Sequence, residues 1–211
     1  MKVLHTIGAL CFIGCMMSCQ SVKNKITEKS GIDRLVSNRF IKNMYKAEPS
    51  ANVWEDGRLY IYASHDIDPP RGCDLMDRYH VFSTDDMVHW TDHGEILNSS
   101  QVAWGRKEGG FMWAPDCAYK NGTYYFYFPH PSETAWNDSW KIGVATSRYP
   151  DRDFKVQGYI KGMDSLIDPC VFIDDDGQAY IYHGGGGICK GGKLKDNMME
   201  LDGEMLRMEG L

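Results

Sequence analysis

An all-β fold of the propeller type is the class this sequence predicts, and three observations predict it. A carboxylate-and-hairpin unit recurs along the chain, the recurrence has the length of a propeller blade, and no helical period runs between residues 48 and 190. Glu48-Pro49 opens a stretch that runs through Asp56-Gly57 to Leu59-Tyr60-Ile61-Tyr62. Asp168-Pro169 opens another, through Asp176-Gly177 to Ala179-Tyr180-Ile181-Tyr182, and the two align without a gap. A third copy lies between them, shifted by one residue: Trp113-Ala114-Pro115-Asp116, then Asn121-Gly122, then Tyr124-Tyr125-Phe126-Tyr127. Read this way, each copy starts with a carboxylate and continues into a hairpin. The hairpin glycines at 57, 122 and 177 are 65 and 55 residues apart. A unit of roughly 40–50 residues or somewhat more, built of four short strands, is a blade.

Taken in chain order, the first element is an address. Lys2 precedes an apolar run from Val3 to Met17, broken by His5 and Thr6 and too short for a membrane span. It ends in Ser18-Cys19, a small residue before a cysteine, which is similar to a bacterial lipoprotein signal with Cys19 as the lipidated residue. Cys15 is the rival site, and an ordinary secretory signal the plainer reading. Residues 20–40 are polar and charged, as suits a tether, so the expected division is a signal at 1–19, a tether at 20–40 and a partial propeller at 41–211. An exported, envelope-anchored protein follows, meeting the membrane only through its lipid.

The strands follow from turn chemistry. Leu59–Tyr62, Tyr124–Tyr127 and Ala179–Tyr182 are short and aromatic or β-branched, and each follows Asp-Gly or Asn-Gly. Further strands are expected at Arg78–Phe82, Ile142–Thr146, and from Asp153–Val156 toward Tyr159. Lys190–Lys195 reads as solvated loop. A net charge of −6 argues against a nucleic-acid groove, which needs a basic face, while 43% hydrophobic and 25% charged residues are those of an ordinary globular protein.

Several motifs carry less chemistry than their spacing suggests. Cys11, Cys15 and Cys19 belong to the signal; Cys73, Cys117, Cys170 and Cys189 form no Cys-x-x-Cys pair, which argues against zinc. Cys117 and Cys170 read as buried thiols, and one disulfide of unassigned pairing fits an exported chain. Gly184–Gly187 reads as a flexible loop because no Gly-Lys-Ser/Thr follows. Asp174-Asp175-Asp176 reads as a hairpin turn rather than a calcium loop, and His89 and His93 as exposed side chains of a turn.

The repeated carboxylates weigh more. An acid before proline often only starts a strand. Equivalent residues of successive blades, however, surround one axis, where converging acids raise one another's pKa at a cost. Paired carboxylates beside aromatic faces are what glycosidic hydrolysis needs, and Trp104, Trp113, Trp136 and Trp140 are candidate stacking faces.

Together, Ala47-Glu48-Pro49-Ser50, Tyr60–Asp66, Phe111–Asp116, Tyr124–Tyr127, and Ile167-Asp168-Pro169 with Asp176-Gly177 resemble glycoside hydrolase family 43, from about Tyr45 onward. The resemblance implies a five-bladed propeller and an inverting glycosidase of the α-L-arabinofuranosidase or β-xylosidase type. It implies a base in the first blade, a pKa-tuning acid opening the third and a glutamic general acid in the fourth. Asp168 matches the tuning and orienting aspartate. Glu48 falls at the base position, where the family has Asp. Trp113 and Asp116 match the segment shaping the sugar subsite; His65, Asp66 and Trp104 complete the expected substrate-binding set. The implied partner is an arabinose- or xylose-containing oligo- or polysaccharide. No cofactor is required, and a structural Ca2+ occurs in some relatives.

From Glu48 onward there are 164 residues, fewer than three repeat steps, where five blades need roughly 300 residues. The resemblance therefore implies about the first three blades without the fourth-blade acid; Glu209 stands too early to be it. Low activity alone is the expectation, and a non-catalytic, surface-tethered glycan-binding remnant is the alternative.

Overall fold

The computed structural model describes residues 41, 44–67, 72–133 and 138–210. The expected signal with Cys19, the tether and Trp136 lie outside the described residues. Three hairpins close as their Asx-Gly pairs dictate. Gly57, Gly122 and Gly177 sit at φ of 78°, 76° and 83°, the left-handed region that a side chain would strain. Asp56 and Asp176 play the same part in their turns, each accepting the backbone N–H two residues on, from Arg58 at 3.0 Å and Gln178 at 2.8 Å.

These turns help build three four-stranded antiparallel sheets among the described residues. The first holds β1 (Tyr45–Val53), β2 (Leu59–Asp66), β3 (Arg78–Thr84) and β4 (Thr91–Asn98) in that order. The second holds β5 (Asp116–Lys120), β6 (Thr123–Pro131), β7 (Trp140–Ser147) and β8 (Lys155–Tyr159). In the third, β9 (Ile167–Ile173), β10 (Ala179–Gly185) and β11 (Ile188–Leu194) are followed by the two-residue β12 (Leu206–Arg207). Each sheet is one propeller blade, so the expected fold class stands, with three blades described. A four-residue helix, α1 (Gly72–Leu75), is too short to leave a period in the sequence.

Alternation with period two decides what packs where. On β6, Phe126 and Phe128 face the first sheet, and Tyr127 faces the third. The core between the first and second sheets gathers Tyr60, Tyr62, Tyr79, Val81, Leu97 and Met112 around those phenylalanines. The core between the second and third gathers Ile142, Val144, Ile181, Leu194 and Met198 around Tyr127. Each fully buried large apolar side chain contributes ~1.5–3 kcal/mol.

Hydrogen bonds clasp each sheet to the next at matching places. Tyr62 Oη donates to the Pro150 carbonyl at 2.8 Å, and Tyr127 Oη to the Met198 carbonyl at 2.9 Å. His93 Nδ1 lies 3.0 Å from Asp151 Oδ2, and its Nε2 lies 2.7 Å from Ser83 Oγ. That connectivity resembles a charge relay. Ser83, however, is fully buried and its Oγ also accepts from Arg58 at 2.9 Å, so the chain of bonds is a clasp between sheets.

Four expectations change. Lys190–Lys195 is not loop: Lys190–Leu194 pairs with β10 as part of β11. Gly184 and Gly185 end β10, so only Gly186 and Gly187 make the turn. His93 belongs to β4 and is tied on both ring nitrogens rather than exposed in a turn. Cys117 is buried, but Cys170 is exposed because it shares the outer face of β9 with Phe172, while Val171 and Ile173 face the core.

Candidate active site

The inner strands β1, β5 and β9 bring the three acid-proline segments together, and their registers correct the alignment of the repeats. Ser50 pairs with Tyr62, Asp116 with Tyr127, and Cys170 with Tyr182. The prolines are therefore equivalent, and the residues after them, Ser50, Asp116 and Cys170, share one level. The residues before them are Glu48, Ala114 and Asp168. The middle copy thus carries its acid after the proline, not before it. The one-residue shift belongs to its hairpin, which is a residue shorter.

Glu48 and Asp168 occupy the same unusual backbone. Their φ angles are 52° and 53°, left-handed values that cost a non-glycine residue about 1–3 kcal/mol unless the surroundings impose them. Both lie in register breaks, between Ala47 and Ser50 opposite β2 and between Ile167 and Cys170 opposite β10. In each bulge the acid and its proline together face a single partner residue. Bulges of this kind re-aim a side chain out of the sheet's alternation.

Both carboxylates are reached by solvent along one side, yet the strands around them exclude part of their water. Burial raises the Glu48 pKa above the carboxylate range. The charges of Asp168 and Asp66 push the same way, against a hydrogen bond from the Ala114 backbone N–H. Burial likewise raises Asp168. Asp168 and Asp66 are thus each within electrostatic reach of Glu48.

The Phe111–Asp116 segment is pinned beside them. Tyr79 Oη donates to the Trp113 carbonyl at 2.6 Å, and Met112 N donates to the Met76 carbonyl at 2.9 Å. The half-buried Trp113 donates from Nε1 to the Cys73 carbonyl at 2.7 Å and packs on the buried Trp140, ring centroids 4.7 Å apart. His65 is fixed by Asp77 at 3.0 Å. Burial alone would push Asp77 up, but hydrogen bonds from Arg78 and His65 hold it near a pKa of about 2. A cleft of about 400 Å³ lined by Asp74, Asp77, Arg106, Glu108 and Phe111 opens beside this segment.

Asp116 is engaged on both oxygens. Its Oδ1 accepts from Ser50 Oγ at 2.6 Å and its Oδ2 from Val171 N at 2.7 Å. Trp104 stands apart, packed on Phe128, His130 and Tyr159 at centroid distances of 6.1, 5.8 and 5.3 Å. A larger groove of about 920 Å³ also lies away from the acids, among Tyr159, Asp164, Lys190 and Met205. Among the described residues no three His, Cys, Asp or Glu side chains converge as metal ligands. The sequence offers Tyr79, whose buried hydroxyl feels the charge of Glu48, only as part of a strand, and it places Ala114 in the subsite-shaping segment without any signal of the backbone N–H that Ala114 gives to Glu48.

The family model for glycosyl hydrolases family 43 matches residues 38–210. A xylosidase/arabinosidase 43A of Humicola insolens is 44% identical over 156 residues, which is 69% of this chain and 45% of that protein. A xylosidase/arabinosidase of Bacteroides ovatus is 39% identical over 67% of this chain and 44% of its own length. The chain thus spans about half the length of these curated relatives. Among solved structures, a family 43 enzyme from Xanthomonas citri superposes with a TM-score of 0.72 at 30% identity, covering 85% of this chain and 60% of that one. A β-xylosidase/α-arabinofuranosidase from a compost microbial metagenome, crystallised with xylotriose, gives 0.70 at 31% identity, covering 81% and 61%.

Proposed function

The chain belongs to glycosyl hydrolases family 43, and from that premise we propose that its three blades carry the base side of an inverting glycosidase site for xylose- and arabinose-containing glycans. One observation carries the reading: Glu48 and Asp168 share the same strained bulge at the same level of two blades, close enough for their charges to interact. Glu48 would take a proton from the water that attacks the anomeric carbon. A raised pKa makes it a stronger base once ionised. Asp168 would orient and tune the proton donor, which in an inverting site stands ~6.5–9.5 Å from the base on the opposite face of the sugar. Trp113, His65 and Asp66 would meet the sugar. With water as the nucleophile and carboxyl groups moving the protons, this chemistry calls for no organic cofactor.

Neither Glu48 nor Asp168 can also protonate the leaving oxygen while serving as base and tuner. A positioned general acid contributes ~10²–10⁴-fold. The purified 211-residue polypeptide should therefore hydrolyse aryl arabinofuranosides and aryl xylosides poorly. Joined to the later blades of a family 43 relative, it should release sugar with inverted configuration. Proton NMR of the first-formed anomer tests this: retention, or turnover indifferent to Asp168→Asn, would sink the mechanism. Robust Asp168-dependent hydrolysis by the 211 residues alone would place the donor within them. The Glu at the base position keeps a second reading in view, a glycan-binding protein that holds xylotriose without turnover even when so extended. We also propose export and lipidation at Cys19, which mass spectrometry of the mature N-terminus would reveal as an acylated cysteine; an intact Met1 would refute it.

A further inference from the structure

The acid of the middle repeat lies at a different level from the other two, and its bonds explain what it does there. Asp116 stands level with Ser50 and Cys170, one step beneath Glu48 and Asp168. One carboxylate oxygen is bound to β1 through Ser50, two residues after Glu48; the other is bound to β9 through the Val171 N–H, three residues after Asp168. The Asn52 side-chain amide donates to Ser50 Oγ at 3.1 Å and turns that hydroxyl toward Asp116. We propose that Asp116 is a positioning residue, a strut that fixes the separation of Glu48 and Asp168 by holding β1 and β9 on its two oxygens.

Three further observations support it. β1, β5 and β9 are the inner edges of their sheets, and an edge N–H such as that of Val171 needs a partner from outside its ladder. The bulges at Glu48 and Asp168 are strained, and strained backbone persists only where neighbours over-determine it. Ala114, which takes the place of the acid in the middle repeat, gives its N–H to Glu48, so the 114–116 segment bonds Glu48 directly as well as the strands that carry both acids. Burial pushes Asp116 upward, but Ser50, Val171 and the Cys117 N–H all donate to it. Three donors on one carboxylate are the setting of a charge-assisted hydrogen-bonded anchor. With both oxygens committed to protein, the strut acts through Glu48 and Asp168, not on the sugar.

The inference rests on the reading of Glu48 and Asp168 as the working pair, but its test needs no turnover. In the 211-residue chain with 13C-labelled carboxyl groups, NMR titration reads how far Asp168→Asn lowers the Glu48 midpoint. In an Asp116→Ala background the same substitution should lower it by less than roughly half as much, because charge coupling falls with distance. Asp116→Asn should keep most of the coupling, since its amide oxygen can still accept from Val171 and its NH2 can donate to Ser50 Oγ. Ser50→Ala, which cuts the β1 side alone, should fall between. Unchanged coupling in folded Asp116→Ala overturns the strut, as does an Asp116→Asn protein that loses coupling as fully as the alanine variant. Should Asp116→Ala fail to fold, Ser50→Ala decides, and unchanged coupling there overturns the proposal. Anomer and turnover assays judge the glycosidase reading separately.

Discussion

Replacing Tyr127 with Phe removes one oxygen atom and leaves a ring of the same shape, so it isolates one clasp between the second and third blades. The Tyr127 hydroxyl is fully buried and donates at 2.9 Å to the Met198 carbonyl. Met198 is itself fully buried at a φ of 61°, so its carbonyl cannot turn to water without disturbing a strained turn. Losing the partner of a buried acceptor costs ~1–3 kcal/mol. In a chain of this size that lowers the melting temperature by ~2–4 °C per kcal/mol, hence by about 2–12 °C. The register-matched control is Tyr182→Phe. Tyr182 holds the same place in the third blade but is only half-buried, so its loss should stay within ~0.5 kcal/mol. Urea unfolding followed by circular dichroism measures both. Equal stability of the two variants would show that the clasp contributes nothing and that ring packing alone joins the blades.

Glu48→Gln should stabilise the fold at neutral pH. A carboxyl whose folded pKa is raised loses stability as pH climbs from the ordinary carboxylate range through the raised value, and the amide carries no such charge. Melting curves should therefore separate near pH 7 and converge in acid; a less stable variant at pH 7 would refute this. His183 and His130, both buried, are held down to a pKa of about 4 by burial, so their contribution is complete above about 6.5, the unfolded value, and is lost as pH falls from there toward 4. His183→Gln should flatten that acid limb, and an unchanged limb would show that His183 does not drive it. If the chain joined to the later blades of a family 43 relative turns over aryl glycosides as proposed, Glu48→Asp should raise that turnover where the longer side chain displaces the base, since ~1 Å of misplacement can cost ~100-fold; a lower rate would mean the site is built around Glu.

What could be read from the sequence was local. The Asx-Gly turns and the Tyr-x-Tyr strands after them depend on neighbouring residues, and they formed where expected. The bulges did not show, because a residue before proline is normally extended, whereas Glu48 and Asp168 are left-handed. The level of Asp116 was misread because the hairpins, rather than the prolines, were aligned. β11 was hidden by Gly191 and Gly192, residues that strands usually avoid. Here close packing demands them: a Cβ on Gly191 would lie 2.7 Å from the Tyr182 ring, and one on Gly192 2.5 Å from Met205 Sδ. His93 and Asp151 meet across 58 residues of sequence, a distance over which no local pattern speaks.

The second blade shares one core with the first blade and another with the third. Among the described residues the middle unit is thus coupled through two cores and each flanking unit through one of them. Opening β5–β8 must dissolve both cores, while fraying β1 or β12 dissolves one at most. Amide exchange should therefore be slowest along β6, between Phe126 and Phe128, and quicken outward in both directions. The three acid-bearing segments lie across this gradient. Asp116 is rooted in its most rigid part, and Glu48 and Asp168 are held from that fixed point into the more yielding strands on either side.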